Sequence, residues 1–148
     1  MKHEKSCGAL VFRCDRQMSG EKRLMLLVIR PYGGGGLAFP KGHVEAGETE
    51  KETAVREVFE ETAVAIEIEK DFRETVSYSP SRGVKKEVVY FIAETDVKTA
   101  VPRHGEIADA FFIDVEAAFR GLEHDNDRSV LEKALAYLEV TGEKSSHI

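Results

Sequence analysis

The chain has 148 residues, enough for one domain with one hydrophobic core and too few for two. Its 42% hydrophobic and 32% charged residues exclude a disordered polymer, and no run of about 18 apolar residues offers a membrane span. The formal charge of −6 weighs against a surface that coats nucleic acid, but it allows a small polyanion bridged to the protein by a divalent cation.

The opening MKHEKSCGAL is charged and then strand-like, without the apolar core and cleavage site of a secretory signal. Cys7 and Cys14 read as packing residues of a reduced, cytoplasmic protein. Strands are predicted over residues 6–12 and 23–29, with a polar turn between them. PYGGGG, residues 31–36, is a loop whose glycines either flex or let a bulky group approach the backbone. A short extended piece at 37–39 leads through Pro40 into a turn-rich loop, KGHVEAGE.

A helix follows. Thr49 and Glu52 have the spacing of a capping box, and Ala54, Val55, Val58, Phe59 and Thr62 share a broad apolar face. Glu57, Glu60 and Glu61 lie on the other side, although like charges at helical spacing cost about 0.2–0.5 kcal/mol per pair. Water screens such a cluster, or a cation sits on it. Further strands are predicted over 64–68, 72–78, 86–95 and 110–115, with a short helix after the last. Ser129 and Glu132 suggest a second capping box, opening a helix with Val130, Leu131, Ala134, Leu135 and Leu138 inward and residues 141–148 as a frayed tail. The pattern is α+β, one domain over residues 1–148 with a mixed sheet.

The spacing around the glutamates decides between water and a cation. From Gly42, five residues lead to Glu48 and seven more to Arg56 and Glu57; Val58, Phe59, Glu60, Glu61, Thr62, Ala63 and Val64 complete the run. This run resembles the signature box of the Nudix hydrolases, with Ala63 where that family has glycine. The resemblance implies an α/β/α sandwich and hydrolysis of a pyrophosphate linkage by water attack on phosphorus. It implies Mg²⁺, or Mn²⁺ in its place, held by Glu60 and Glu61 with Glu57, Glu48 and the Gly42 carbonyl. Hard oxygen donors suit such ions. Arg56 cannot be a ligand; its guanidinium holds a neighbouring carboxylate in place. Alanine at position 63 costs about 1–2 kcal/mol if the helix exits left-handed.

CGALVF, FPKGHVEAGE, YSPSRGVKKEVVYFIAE and HGEIADAFFIDVEAA resemble one branch of that family, the asymmetric diadenosine tetraphosphate hydrolases. This implies a nucleotide substrate split into a nucleoside triphosphate and a monophosphate. Lys41 and His43 are then expected on the phosphate chain, Tyr78 under a base with Tyr90 as a second wall or a core residue, and Lys85 and Lys86 as neutralising cations. Glu106 is expected to reach a metal or activate water. Pro80 lies near a proline typical of ADP-ribose pyrophosphatases in the same superfamily. Nucleoside triphosphates, ADP-ribose, RNA 5′ ends and inositol pyrophosphates are the alternative substrates. A nucleotide sensor without catalysis is the alternative of another class. No duplex nucleic acid and no membrane are expected as partners, and the chain is expected as a monomer or homodimer.

Overall fold

The computed structural model describes residues 1–146, with side chains through residue 141. The strands are β1 (Lys2–Arg16), β2 (Lys22–Pro31), β3 (Lys41–His43), β4 (Glu74–Ser81), β5 (Val84–Glu94) and β6 (Ile107–Asp114). The helices are α1 (Glu50–Thr62), α2 (Val115–Gly121) and α3 (Asp125–Ser146). Five strands lie in the order β4-β5-β1-β2-β6, and β3 pairs with β1. β1 and β5 run parallel; the other pairings are antiparallel. The expected mixed sheet is present.

Alternation along the central strands sends side chains to two layers. Leu10, Phe12, Val88, Tyr90 and Ile92 pack with Ala118, Leu122, Val130, Leu131 and Ala134, beneath α2 and α3. Cys7, Ala9, Val11, Leu27, Val89 and Ala93 face the other way, where α1 supplies Ala54 and Val58. The result is the expected α/β/α sandwich.

Several boundaries differ from the sequence reading. Residues 64–68 form no strand; Val64 and Ile66 are buried against α1's layer without strand partners. Lys41–His43, read as loop, forms β3, because Gly8 of β1 lets the backbone pass close. A Cβ there would lie 2.2 Å from the Pro40 carbonyl oxygen. Phe59 is exposed rather than part of α1's apolar face, and Cys14 is exposed rather than packed. α3 begins at Asp125, so Ser129 lies within the helix and does not cap it. Residues 141–146, expected as part of a frayed tail, continue α3 as helix, and the last two residues of that tail lie outside the described residues. No helix among them is long and apolar enough to cross a membrane.

Candidate active site

The capping box forms as the sequence predicts: the Glu52 N–H donates to Thr49 Oγ1 at 3.1 Å, and the Thr49 N–H donates to Glu52 Oε1 at 2.9 Å. That start sets the rotation of α1, so Arg56, Glu57, Glu60 and Glu61 meet β3 and the loop behind it. At the far end Ala63 closes the helix at φ 61°, donating its N–H to the Phe59 carbonyl. The left-handed exit is therefore made by alanine.

Arg56 organises the carboxylates. Its Nε and Nη2 donate to the two Glu48 oxygens at 2.6 and 2.9 Å, Nη2 also donates to the His43 carbonyl, and Nη1 reaches Glu57 Oε1 at 2.7 Å and Glu60 Oε2 at 3.1 Å. Thr53 Oγ1 and the Glu45 N–H add donors to Glu48. Glu48 is thus surrounded by donors, Arg56 first among them, which holds its carboxyl near pKa 2. Through Arg56 it is joined to Glu57 and Glu60.

Glu61 differs in every respect. It is mostly buried and accepts the Lys41 N–H at 2.9 Å. Burial pushes its carboxyl up to about 7, and the charges of Glu57 and Glu106 add to the shift. Glu57 presses its carboxylate against Gly42, where a Cβ would lie 2.1 Å from Oε2. Only glycine admits the carboxylate at that place. Glu106 is exposed and lies 3.6 Å from Arg103, whose Nη1 also reaches Glu60 at 3.4 Å and whose N–H donates to the Glu61 carbonyl. Arg103 escaped the sequence reading; its nearness to Glu106 in the chain was the available signal.

Among the described residues, no three His, Cys, Asp or Glu side chains are already drawn together as a metal cage. Mg²⁺ needs none, since it binds through one or two carboxylates and keeps water in its remaining positions. The carboxylate oxygens of Glu57, Glu60 and Glu61 near the Gly42 cradle are of the donor type that a hard divalent cation takes.

Beside this cluster opens a cavity of about 570 Å³, with Lys41 and Glu61 in the shared wall. Phe39, Val76, Val88, Ile29 and Ile107 make its walls apolar; Tyr78 and Tyr90 also line it. Tyr90 is 1% exposed and packs edge-on to Phe39 at 5.3 Å, so it is at once a core residue and a cavity wall. Tyr78 is 40% exposed and opposite Lys86 in the β4–β5 register. Lys41 is largely buried, which lowers its ammonium pKa, and it feels Lys86, Asp127, Glu61 and Glu57.

Other expected residues lie elsewhere. Lys85 alternates with Lys86 along β5 and stands apart, beside His3, Glu4 and Glu87. The His43 ring is 3.7 Å from Glu4 and outside the cavity wall. Pro80 is exposed where the β4–β5 register shifts. The glycine run does not line the cavity; the Gly36 N–H donates to Glu123 at 2.6 Å, tying the loop to the segment before α3. The turn into α3 was also missed: His124, Asp125, Asn126 and Asp127 all face the cavity.

The NUDIX domain family pattern matches residues 2–134. Over 137 residues the chain is 29% identical to the asymmetrical bis(5′-nucleosyl)-tetraphosphatase of Caenorhabditis elegans, covering 90% of this chain and 96% of that protein. Its Mus musculus counterpart is 35% identical over 95 residues, 61% of this chain and 64% of that one. The crystal structure of a C. elegans Ap4A hydrolase binary complex superimposes with a TM-score of 0.78 at 27% identity, covering 92% of this chain and 98% of the other. The NUDIX domain of Shewanella oneidensis NrtR, complexed with ADP ribose, shares the fold at a TM-score of 0.72 and 16% identity, over 93% of this chain and 90% of that one. With the carboxylate box intact on α1 and the family pattern running from β1 into α3, the chain belongs to the Nudix family.

Proposed function

We propose that the chain hydrolyses a dinucleoside polyphosphate with water, splitting diadenosine tetraphosphate into ATP and AMP with the help of Mg²⁺. The observation that carries this reading is the shared wall: Lys41 and Glu61 belong both to the carboxylate cluster and to an apolar cavity with two tyrosines. A phosphate chain lying across that wall would leave a nucleoside in the cavity. The two relatives named as asymmetrical tetraphosphatases support the same substrate class.

Held by Glu57, Glu60 and Glu61 with the Gly42 carbonyl, Mg²⁺ or Mn²⁺ would polarise the scissile phosphate and acidify a bound water. The protein's own groups do the rest. Arg56 fixes Glu57 and Glu60 in place through hydrogen bonds at 2.7 and 3.1 Å. Glu106, exposed and outside that ligand set, is the carboxylate left to take the proton of the attacking water. Lys41 and Lys86 offset phosphate charge, and half-exposed Tyr78 presents a face on which a base stacks.

The test is product analysis after incubation with diadenosine tetraphosphate and Mg²⁺. ATP plus AMP is expected. Two ADP, or no turnover with either Mg²⁺ or Mn²⁺, overturns the reading. A panel of nucleoside triphosphates, ADP-ribose, capped RNA and inositol pyrophosphate at equal concentration separates the alternative substrates. Tight nucleotide binding without hydrolysis identifies a sensing module.

A further inference from the structure

A buried carboxylate outside the catalytic cluster lines the same cavity. Asp127, in the first turn of α3, is 6% exposed, yet it lines the same cavity as Tyr78 and Phe39. His124, Asp125 and Asn126 lie exposed at the rim; Asp127 alone of this turn is buried. It lies beside the Tyr90 hydroxyl and feels the Lys41 ammonium. An ionised carboxylate has about four acceptor sites, so even a hydrogen bond from the Tyr90 hydroxyl would leave acceptor capacity unused. A buried acceptor facing an apolar, aromatic-walled cavity is costly unless a donor arrives with the occupant.

We propose that Asp127 selects the nucleobase, accepting a hydrogen bond from an exocyclic amine on the base held between the cavity's aromatic walls. This rests on the reading of the cavity as a nucleoside site. Adenine carries that amine at C6; guanine carries its amine at C2 and a carbonyl at C6, so in the same orientation it meets Asp127 as hypoxanthine does. Hypoxanthine places a carbonyl where adenine has its amine, so its oxygen would face the carboxylate. Unsubstituted purine offers no donor there and leaves Asp127 unpaired once the base excludes water. A site built around a hydrogen bond rejects the analogue that lacks it far more strongly than an apolar pocket rejects a change of size.

The experiment measures binding by calorimetry, without turnover, for the 5′-monophosphates of adenosine, guanosine, inosine, purine riboside and 2′-deoxyadenosine. The native protein is expected to bind the adenosine nucleotide about tenfold to a hundredfold more tightly than the guanosine, inosine and purine ones. Asp127→Asn should bring the adenosine-to-inosine ratio within about threefold, because an amide N–H can donate to the hypoxanthine carbonyl. Equal binding of adenosine, inosine and purine nucleotides by the native protein overturns the proposal. So does an unchanged ratio in a folded Asp127→Asn protein, or a penalty that follows the 2′-hydroxyl instead of the base. If Asp127→Asn does not fold, the native series decides alone. Base discrimination without hydrolysis of any dinucleoside tetraphosphate would refute the proposed activity and leave this assignment standing; hydrolysis without base discrimination would do the reverse.

Discussion

At the carboxylate end of the site, one stretch of chain from Gly42 to Glu61 supplies the glycine cradle, Arg56 and the box glutamates, and a single guanidinium reaches three of the carboxylates. The cavity end is assembled from β2, β4, β5, β6, the segment before β3 and the turn into α3, joined by Lys41 and Glu61, and most of its lining is apolar or aromatic. The first end is built to hold charge in one geometry, the second to offer surface. The two therefore vary separately, and substitutions should separate kinetically. Changes at the carboxylate end should lower kcat, and changes in the cavity should raise KM.

The largest effect is expected from Glu60→Gln and Glu61→Gln, each of which should abolish turnover while the far-ultraviolet circular dichroism stays native. Retained activity in both would remove the metal assignment and with it the division of labour. Arg56→Gln comes next, with a loss of about 10- to 100-fold in kcat, the usual effect of removing a group that orients ligands. Arg56→Lys should rescue little, since an ammonium cannot span Glu48, Glu57 and Glu60 with a planar fork. Full activity in the lysine variant would show that charge alone suffices.

The same contrast explains what was legible in the sequence. Thr49 with Glu52, and Arg56 with its glutamates, interact within a few residues, so spacing reveals them; the structure reproduces those contacts. Asp127 and Tyr90 meet only through tertiary packing, and nothing in their local sequence announces it. Val64 and Ile66 alternate as a strand does, but no strand pairs with them, and packing against the sheet face buries them. The adjacent lysines of β5 read as one basic stretch, and strand alternation sends Lys85 and Lys86 to opposite faces.

In the cavity, Tyr78→Ala should raise KM by roughly tenfold through lost base stacking and leave kcat within about twofold. A fall in kcat instead would place Tyr78 with the chemistry. pH sharpens the other end. The Glu61 carboxyl is raised by burial from 4.5 to about 7, so the metal-free fold holds a proton there that the unfolded chain releases at lower pH. Metal-free stability should decline as pH rises through that window. Mg²⁺ must displace the proton, so its affinity should climb by up to about tenfold per pH unit below 7 and level off above. Calorimetric titration of Mg²⁺ at pH 5.5, 6.5 and 8 tests this; a flat affinity would show that Glu61 is ionised throughout.

The smallest effect concerns the residue that ends α1. Ala63 ends α1 at φ 61° and ψ 19°, immediately after the last box glutamate's neighbour Thr62, and it is exposed. A Cβ in this left-handed conformation costs about 1–2 kcal/mol, whereas glycine gives back part of that relief through its freer unfolded chain. Ala63→Gly should therefore stabilise the fold by roughly 0.5–1 kcal/mol, raising Tm by about 1–3 °C for a chain of this size. The glutamates precede the exit and are held by Arg56 and by the Lys41 N–H, so kcat should not move. A stabilised variant with reduced kcat would show instead that the strained exit sets the position of Glu61, and that the helix end belongs to the catalytic geometry.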